Sequence, residues 1–486
     1  MLNRLEAAGA RRRLARRGAG PAAHPQSDLP VGSDRLEKIE HIVILMMENH
    51  SYDNYLGMLQ REGSDGRRAD GLPLDANGVP SPVNAGKNGT VVPMRRFKGT
   101  RQKGGVPTQS WNATHIQFGD GNTDGFVRSI EETLPALDAS VAMTYWDGRD
   151  LPFYYGLASV FPLMTRWFCS CLGPTFPNRR FLISGTAHGL IDDLPFGMID
   201  YPASGTIFDL LTAHGISWAN YHHVSPVKAN WRLLSRAAGL KFFRILGAVV
   251  AAIFPQLVPA LESKIQTTAG LYPLGFLRSL NHLRPITQFF QDARAGKLPA
   301  VTIVDPDFGN CSEENPQDIQ AGEGFAAKVI DAVMSGRGWP KTLLIWLYDE
   351  HGGYFDHVVP PAAVEPDDVP GQTILERYAI LRWLLSLTSY AKQIQAIDDG
   401  PRTYDRLGFR VPAVIVSPYA RENFVSDTVY DHTSVLKLIE EKWNLPPLTR
   451  RDAAATAPLD ALDFDNPPKF LTPPRLPAPA RQWFGQ

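Results

Sequence analysis

Apolar runs that stop abruptly at clusters of polar side chains recur along this chain. His41-Ile-Val-Ile-Leu-Met-Met47 ends at Glu48-Asn49-His50-Ser51-Tyr52-Asp53. Ala300–Val304 leads into Asp305-Pro306-Asp307, Thr342–Tyr348 into Asp349-Glu350-His351-Gly352-Gly353, and Val411–Val416 into Ser417-Pro418-Tyr419. Continuous rather than alternating apolarity suits strands buried on both faces, as in a parallel sheet covered by helices. Between the runs, Gly322–Met334 and Ser434–Trp443 read as amphipathic helices, and Ser204-Gly205-Thr206 as the cap before Ile207–Leu211. The pattern predicts an α/β fold. Ligands of open α/β sheets bind outside the carboxyl ends of the strands, so four acid- or hydroxyl-bearing strand ends predict one shared site.

Length and composition refine this picture. At 486 residues the chain exceeds the usual single domain, yet large α/β enzymes do run as one domain with insertions. The expected organisation is one catalytic domain over residues 38–465. Irregular and mainly helical insertions are expected at about 60–110 and 222–290 respectively. A basic, flexible tail (1–37) and a Pro-rich, surface-hugging tail (466–486) are expected to flank it. A net charge of -1 argues against a dedicated nucleic-acid binder. Three cysteines, with no CxxC pair, read as small buried apolar side chains rather than thiolate ligands. The basic N-terminus lacks the apolar region of a secretory signal, which makes the cytoplasm the default location. Ile245–Phe254 is too short to span a bilayer and reads as a buried helix or a transient membrane-surface contact.

Two acid-bearing pairs carry the chemistry. Glu48-Asn49 and Asp349-Glu350 each bring two oxygen donors to a strand end, where unpaired acids would repel one another. A hard divalent cation resolves that repulsion. A third element, Gly173-Pro-Thr-Phe-Pro-Asn-Arg-Arg180, places Thr175 where an N-cap belongs, with Pro177 permitted in the first turn. Helix starts favour anions, so a hydroxyl there, close to a metal, is placed to attack phosphorus.

Together these stretches resemble the bacterial phospholipase C and acid phosphatase family of phosphoesterases, related to the alkaline phosphatase superfamily. The likeness covers Met47–Tyr55, Asn122–Phe126, Gly173–Arg180, Gly322-Glu323, Tyr348–Val358 with Pro360-Pro361, and Tyr430–Ser434. It implies an alkaline-phosphatase-like sandwich, with a mostly parallel central sheet flanked by helices. By resemblance, Glu48, Asn49, Asp349 and Glu350 hold one divalent ion (calcium, magnesium, manganese or zinc), and Thr175 is the nucleophile of a phospho-threonine intermediate. Asn178, Arg179, Gln109 and Asn315 are the expected phosphate-binding residues. Where relatives carry histidines, this chain has Gln109 before Ser110-Trp111 and Asn315 before Pro316. That leaves His351, His357 and His432 as candidates for the general acid. Relatives are often exported, so the resemblance keeps export open.

The expected activity is phospholipase C-type cleavage of a phospholipid headgroup, with phosphomonoester hydrolysis as the alternative. A catalytically silent binding protein on the same fold is the reading from another class, prompted by Gln109 and Asn315. A serine esterase fits less well, because no Gly-x-Ser-x-Gly elbow follows a strand.

Overall fold

The apolar runs pair with one another in the centre of the molecule. The computed structural model describes residues 8–11, 24–102, 107–193, 201–223, 266–272, 279–373, 376 and 401–485. Eight strands form the main sheet: β1 (His41–Met47), β2 (Leu163–Met164), β3 (Trp218–His222), β4 (Leu283–Pro285), β5 (Val301–Val304), β6 (Thr342–Tyr348), β7 (Ala413–Val416) and β8 (Val425–Ser426). Their spatial order is β8-β2-β7-β6-β1-β5-β3-β4. All pairings are parallel except those of β7 with β6 and with β2. The chain is thus an α/β protein built on a large, mostly parallel sheet. The central strands β1, β5 and β6 are buried along almost their whole length, which is why the sequence writes them as unbroken apolar runs.

Register places the chemistry. Met47 lies opposite Tyr348 in the parallel β1–β6 pair, so Glu48 and Asp349 leave the sheet side by side. The segment ending at Ser417 behaves differently. β7 runs antiparallel to β6, with Val416 opposite Leu344, and Ser417 Oγ donates to Thr342 O at 3.0 Å. Ser417-Pro418-Tyr419 therefore emerges at the far end of the sheet, and the fourth strand end predicted for the shared site is corrected. It is the start of this strand, at Arg410, that faces the ligand side.

The helices needed below are α1 (Trp111–Phe118), α2 (Phe126–Thr133), α3 (Thr175–Ser184), α4 (Ile207–His214), α5 (Ile286–Ala295), α6 (Ile319–Met334) and α7 (Thr433–Lys442). Thr206 and Asp209 form a capping box on α4, which bears out the start signal at that position. Within the 60–110 segment, residues 83–85 and 91–93 pair as a small antiparallel hairpin. Asn84 of that hairpin caps α2 by accepting from Phe126 N at 2.8 Å. Of the 222–290 segment, β4 and the first half of α5 belong to the main sheet and its covering layer. Ile245–Phe254 lies outside the described residues.

Both termini touch the body where described. Asn444 Nδ2 donates to Gln26 O and Leu29 O, and Lys442 Nζ bonds Asp34 Oδ1 at 2.7 Å. At the other end, Ala480 N donates to Glu323 Oε2 on α6. The three cysteines are buried and unbridged. Among the described residues, no helix is long and apolar enough to cross a membrane.

Candidate active site

Glu48 and Asn49 follow β1, and Asp349 and Glu350 follow β6. Asn49 adopts φ +68, a left-handed conformation that asparagine tolerates better than most residues. This turn lets Asn49 N donate to Asp349 Oδ1 at 3.1 Å, beside Glu350 N on the same oxygen at 2.8 Å. Gly352 completes the crossing: a Cβ there would stand 2.0 Å from Asn49 O, so only glycine fits.

Thr175 comes in from α3. Pro174, not Thr175, is the N-cap, and Thr175 is the first helical residue. Its hydroxyl does not cap the helix, as its position in sequence suggested, but donates to Glu350 Oε1 at 2.8 Å. Thr175 keeps 8% exposure while Asp349 and Glu350 have none. The loop before it is held by Asn178, whose Oδ1 accepts from Cys171 N at 3.0 Å and whose Nδ2 donates to Gly173 O and Pro174 O.

Arg179 is fully buried among the acids. It donates to Asp349 Oδ2 at 2.9 Å and to Met47 O, and lies 3.7 Å from Glu48 Oε1. Glu48 is pushed well above the usual carboxylate range by burial, opposed by Arg179 and reinforced by Asp349. Burial, then Asp349 and Asp193, push Glu350 the same way. Glu48 Oε2, Asn49 Oδ1 and Glu350 Oε2 are buried without a hydrogen-bond partner. Unsatisfied buried oxygens are costly, and ionising all three carboxylates beside one arginine would leave a charge of about -2, which burial resists unless a cation balances it. The donor set thus fits a hard divalent cation in both charge and ligand type.

The three candidate histidines are already engaged. His351 Nε2 contacts Gln117 Oε1 at 2.7 Å, and Gln117 Nε2 donates to Thr108 O and Ser129 Oγ. The amide oxygen therefore faces His351, and Nε2 carries the ring hydrogen. Burial pushes His351 down to about 3, which keeps it neutral. His432 Nε2 lies 2.6 Å from Asp349 O, with Trp167 Nε1 3.5 Å from its Nδ1. Gln109 is half-buried, in a segment that packs on Gly353. Asn315 donates to Tyr354 OH at 2.6 Å and leaves Oδ1 buried and unpartnered.

His357 belongs to an ionic knot that sequence reasoning missed. Arg410, fully buried, donates to Asp356 Oδ1 at 2.8 Å and to Asp53 Oδ1 at 3.0 Å. His357 Nδ1 sits 2.7 Å from Asp53 Oδ2, and its Nε2 3.4 Å from Asp70 Oδ1. Ligand atoms of Asp53, Asp356 and His357 lie close enough together to suit a metal ion. Arg410 and a protonated His357 already supply two positive charges there, so the knot has no need of one. It ties the Glu48 turn to the Asp349 turn: Ser51 Oγ donates to Phe355 O, and Tyr52 N to Arg410 O. The signal was present in sequence, since Asp53 and Asp356-His357 sit inside the two longest matched motifs.

The knot has a pH signature. Burial alone would lower the His357 pKa, but hydrogen bonds to Asp53 and Asp70 outweigh it and raise the ring to about 9. A raised folded-state pKa gives stability that is fully present below the unfolded value near 6.5 and lost as pH rises through 9. His357 should contribute no more than about 3 kcal/mol below pH 6.5. Melting curves between pH 6 and 10 should fall more steeply for wild type than for His357→Gln. Parallel curves would show that the imidazolium does not brace the knot.

A family model described as "Phosphoesterase family" matches residues 39–446. The chain belongs to the phosphoesterase family. It is 29% identical to Phospholipase C B of Mycobacterium tuberculosis over 95% of this chain and 83% of that protein. It is 26% identical to Non-specific phospholipase C6 of Arabidopsis thaliana, covering 93% of this chain and 77% of the relative. Hemolytic phospholipase C of Pseudomonas aeruginosa matches at 26% over 86% of this chain and 54% of its own length. The chain is a phosphoric ester hydrolase, and the matched region contains every candidate site residue.

Proposed function

We propose that this phosphoesterase is a metal-dependent phospholipase C-type hydrolase with Thr175 as nucleophile. One observation carries the reading: the Thr175 hydroxyl donates to Glu350 in a buried oxygen set where Glu48 Oε2, Asn49 Oδ1 and Glu350 Oε2 lack partners. Glu48, Asn49, Asp349 and Glu350 would hold the cation. When bound, the cation supplies Lewis-acid charge that stabilises the threonine alkoxide and the equatorial phosphoryl oxygens. The names of the relatives support a phospholipid as substrate, with a phosphomonoester as the second choice.

Thr175 Oγ forms the bond to phosphorus as the alcohol oxygen leaves. Glu350 Oε1, which already accepts the hydroxyl hydrogen, is the atom placed to take that proton. Phe176 N–H, in the first turn of α3, can receive a phosphoryl oxygen once Asp193 Oδ1, which accepts from it at 2.7 Å, moves away. The departing alcohol draws its proton from solvent, because the N–H groups of His351, His357 and His432 are committed to Gln117, carboxylates and Asp349 O. Water then cleaves the phospho-threonine. Arg179 acts from behind by bridging Asp349 and Glu48, and Asn178 acts by fixing the loop that presents Thr175.

Binding of the cation should be visible without turnover. Calcium, magnesium, manganese or zinc added to chelator-treated protein at a hundredfold excess over its Kd should raise Tm by about 3 °C. Glu350→Gln should abolish the rise. With metal restored, phosphatidylcholine vesicles should yield diacylglycerol. Release of free phosphate from monoesters with no diacylglycerol would favour the phosphatase reading, and a Tm indifferent to every cation would end the metal-dependent one.

A further inference from the structure

The first turn of the nucleophile helix already holds an anion. Asp193 Oδ1 accepts from Phe176 N at 2.7 Å, next to Thr175. Phe176 N–H is one of the donors at the start of α3 with no partner inside the helix, and the helix dipole points its positive end there. A phosphoryl group attached to Thr175 would need that same donor. Asp193 is exposed, so its side chain can rotate away without opening the core.

The charge around Thr175 decides what can displace it. Glu48, Asp349 and Glu350 face one arginine, Arg179, which is fully buried and donates to Asp349 and to Met47 O. Gln109 and Asn315, the other residues expected to bind phosphate, are uncharged amides. The Asp193 carboxyl, desolvated and beside Asp192 and Asp349, is raised to about 7. At pH 7.5, with a divalent cation neutralising the other acids, it still adds most of one negative charge at the mouth. A phosphodiester arrives with one negative charge, whereas a phosphomonoester at neutral pH carries nearly two, its second pKa lying near 6. Repulsion from a carboxylate a few ångströms away grows in proportion to that charge.

We propose that Asp193 is a specificity-determining residue, its carboxylate on the Phe176 N–H admitting singly charged phosphodiesters and rejecting doubly charged phosphomonoesters and free phosphate. The proposal rests on the hydrolase reading of Thr175 and names the substrate class for it. Asp193→Asn keeps an oxygen acceptor for Phe176 N–H while removing the charge, so the cap on α3 survives. Asp193→Ala removes both.

Two measurements test it on the metal-loaded full chain. In the first, calorimetric titration with inorganic phosphate needs no turnover. Asp193→Asn should bind phosphate about tenfold more tightly than wild type at pH 7.5. In the second, kcat/KM should rise for both esters, and the ratio of the value for p-nitrophenyl phosphate to that for p-nitrophenylphosphocholine should rise about threefold in the same variant. Equal phosphate affinity in wild type and Asp193→Asn overturns the proposal, as does an unchanged ratio. A wild type inert on both esters would sink the hydrolysis by Thr175 instead, and the phosphate titration would still decide the role of Asp193.

Discussion

Thr175→Ala is expected to lower kcat on either class of ester by at least about a thousandfold, the scale seen when a nucleophile is removed from a site whose other parts remain. Chelator-treated protein should lose activity to a similar extent, and Thr175→Ser should keep most of it because the hydroxyl survives. The prediction is sharpened by what should not change. Thr175 is near the surface of the site and its side chain is small, so no cavity opens in the core. Loss of its hydroxyl leaves Glu350 Oε1 without a donor, which costs about 1–3 kcal/mol in the metal-free protein and less once a cation occupies the set. Cation-induced stabilisation should therefore persist in Thr175→Ala, or even grow. In wild type, brief acid quenching during turnover of labelled substrate should trap phosphate on Thr175. Full activity in Thr175→Ala would remove the threonine from the mechanism and leave the buried acids to activate water directly.

Much of this was legible before any coordinates. Strands such as His41–Met47 and Thr342–Tyr348 are buried on both faces, so each is written as an unbroken apolar run whose end is marked by the first acid. That is why Glu48-Asn49 and Asp349-Glu350 could be paired from sequence, and the parallel register of β1 with β6 brings them together. Direction was not legible. Val411–Val416 has the same apolar signature as its neighbours, and nothing in such a run tells a parallel from an antiparallel strand. Local rules also failed at Thr175. Its sequence fits an N-cap, but the hydroxyl is claimed by Glu350, 175 positions further on, and capping statistics know nothing of so distant a partner. Asp193 and Arg410 were missed for the same reason. Each looks like an ordinary surface charge in a loop, and their meaning lies in contacts across 17, 54 and 357 positions. The family motifs did enclose Asp53, Asp356 and His357, but a motif does not say which of its acids face the substrate and which face an arginine.

Arg410→Met is expected to be the most destabilising single substitution around the site, costing about 3–5 kcal/mol. The guanidinium has no exposure and touches Asp53, Asp356, Asp70 O and Thr165 O, while its face lies 4.5 Å from the centre of the Tyr52 ring. Its loss leaves two buried carboxylates facing each other with His357 alone to balance them. For a chain of this length such a loss lowers Tm by about 3–5 °C. It should also loosen both metal-ligand turns, because Asp53 and Asp356 lie five and seven residues beyond Glu48 and Asp349 in the same motifs. Cation affinity should fall with stability, although Arg410 bonds to none of the four proposed ligands. Arg410→Lys keeps the charge but not the fork that spans both acids, and should lie between the two. The decisive variant is the triple change Arg410→Met, Asp53→Asn and Asp356→Asn. The cost of Arg410→Met comes mainly from the uncompensated charges left behind, so neutralising both acids should recover most of it. Denaturant midpoints for the three proteins would decide: recovery in the triple variant identifies the knot as a charge-balanced brace. If the triple variant is weaker than Arg410→Met, the hydrogen-bond geometry of the acids, rather than their charge, holds the two turns together.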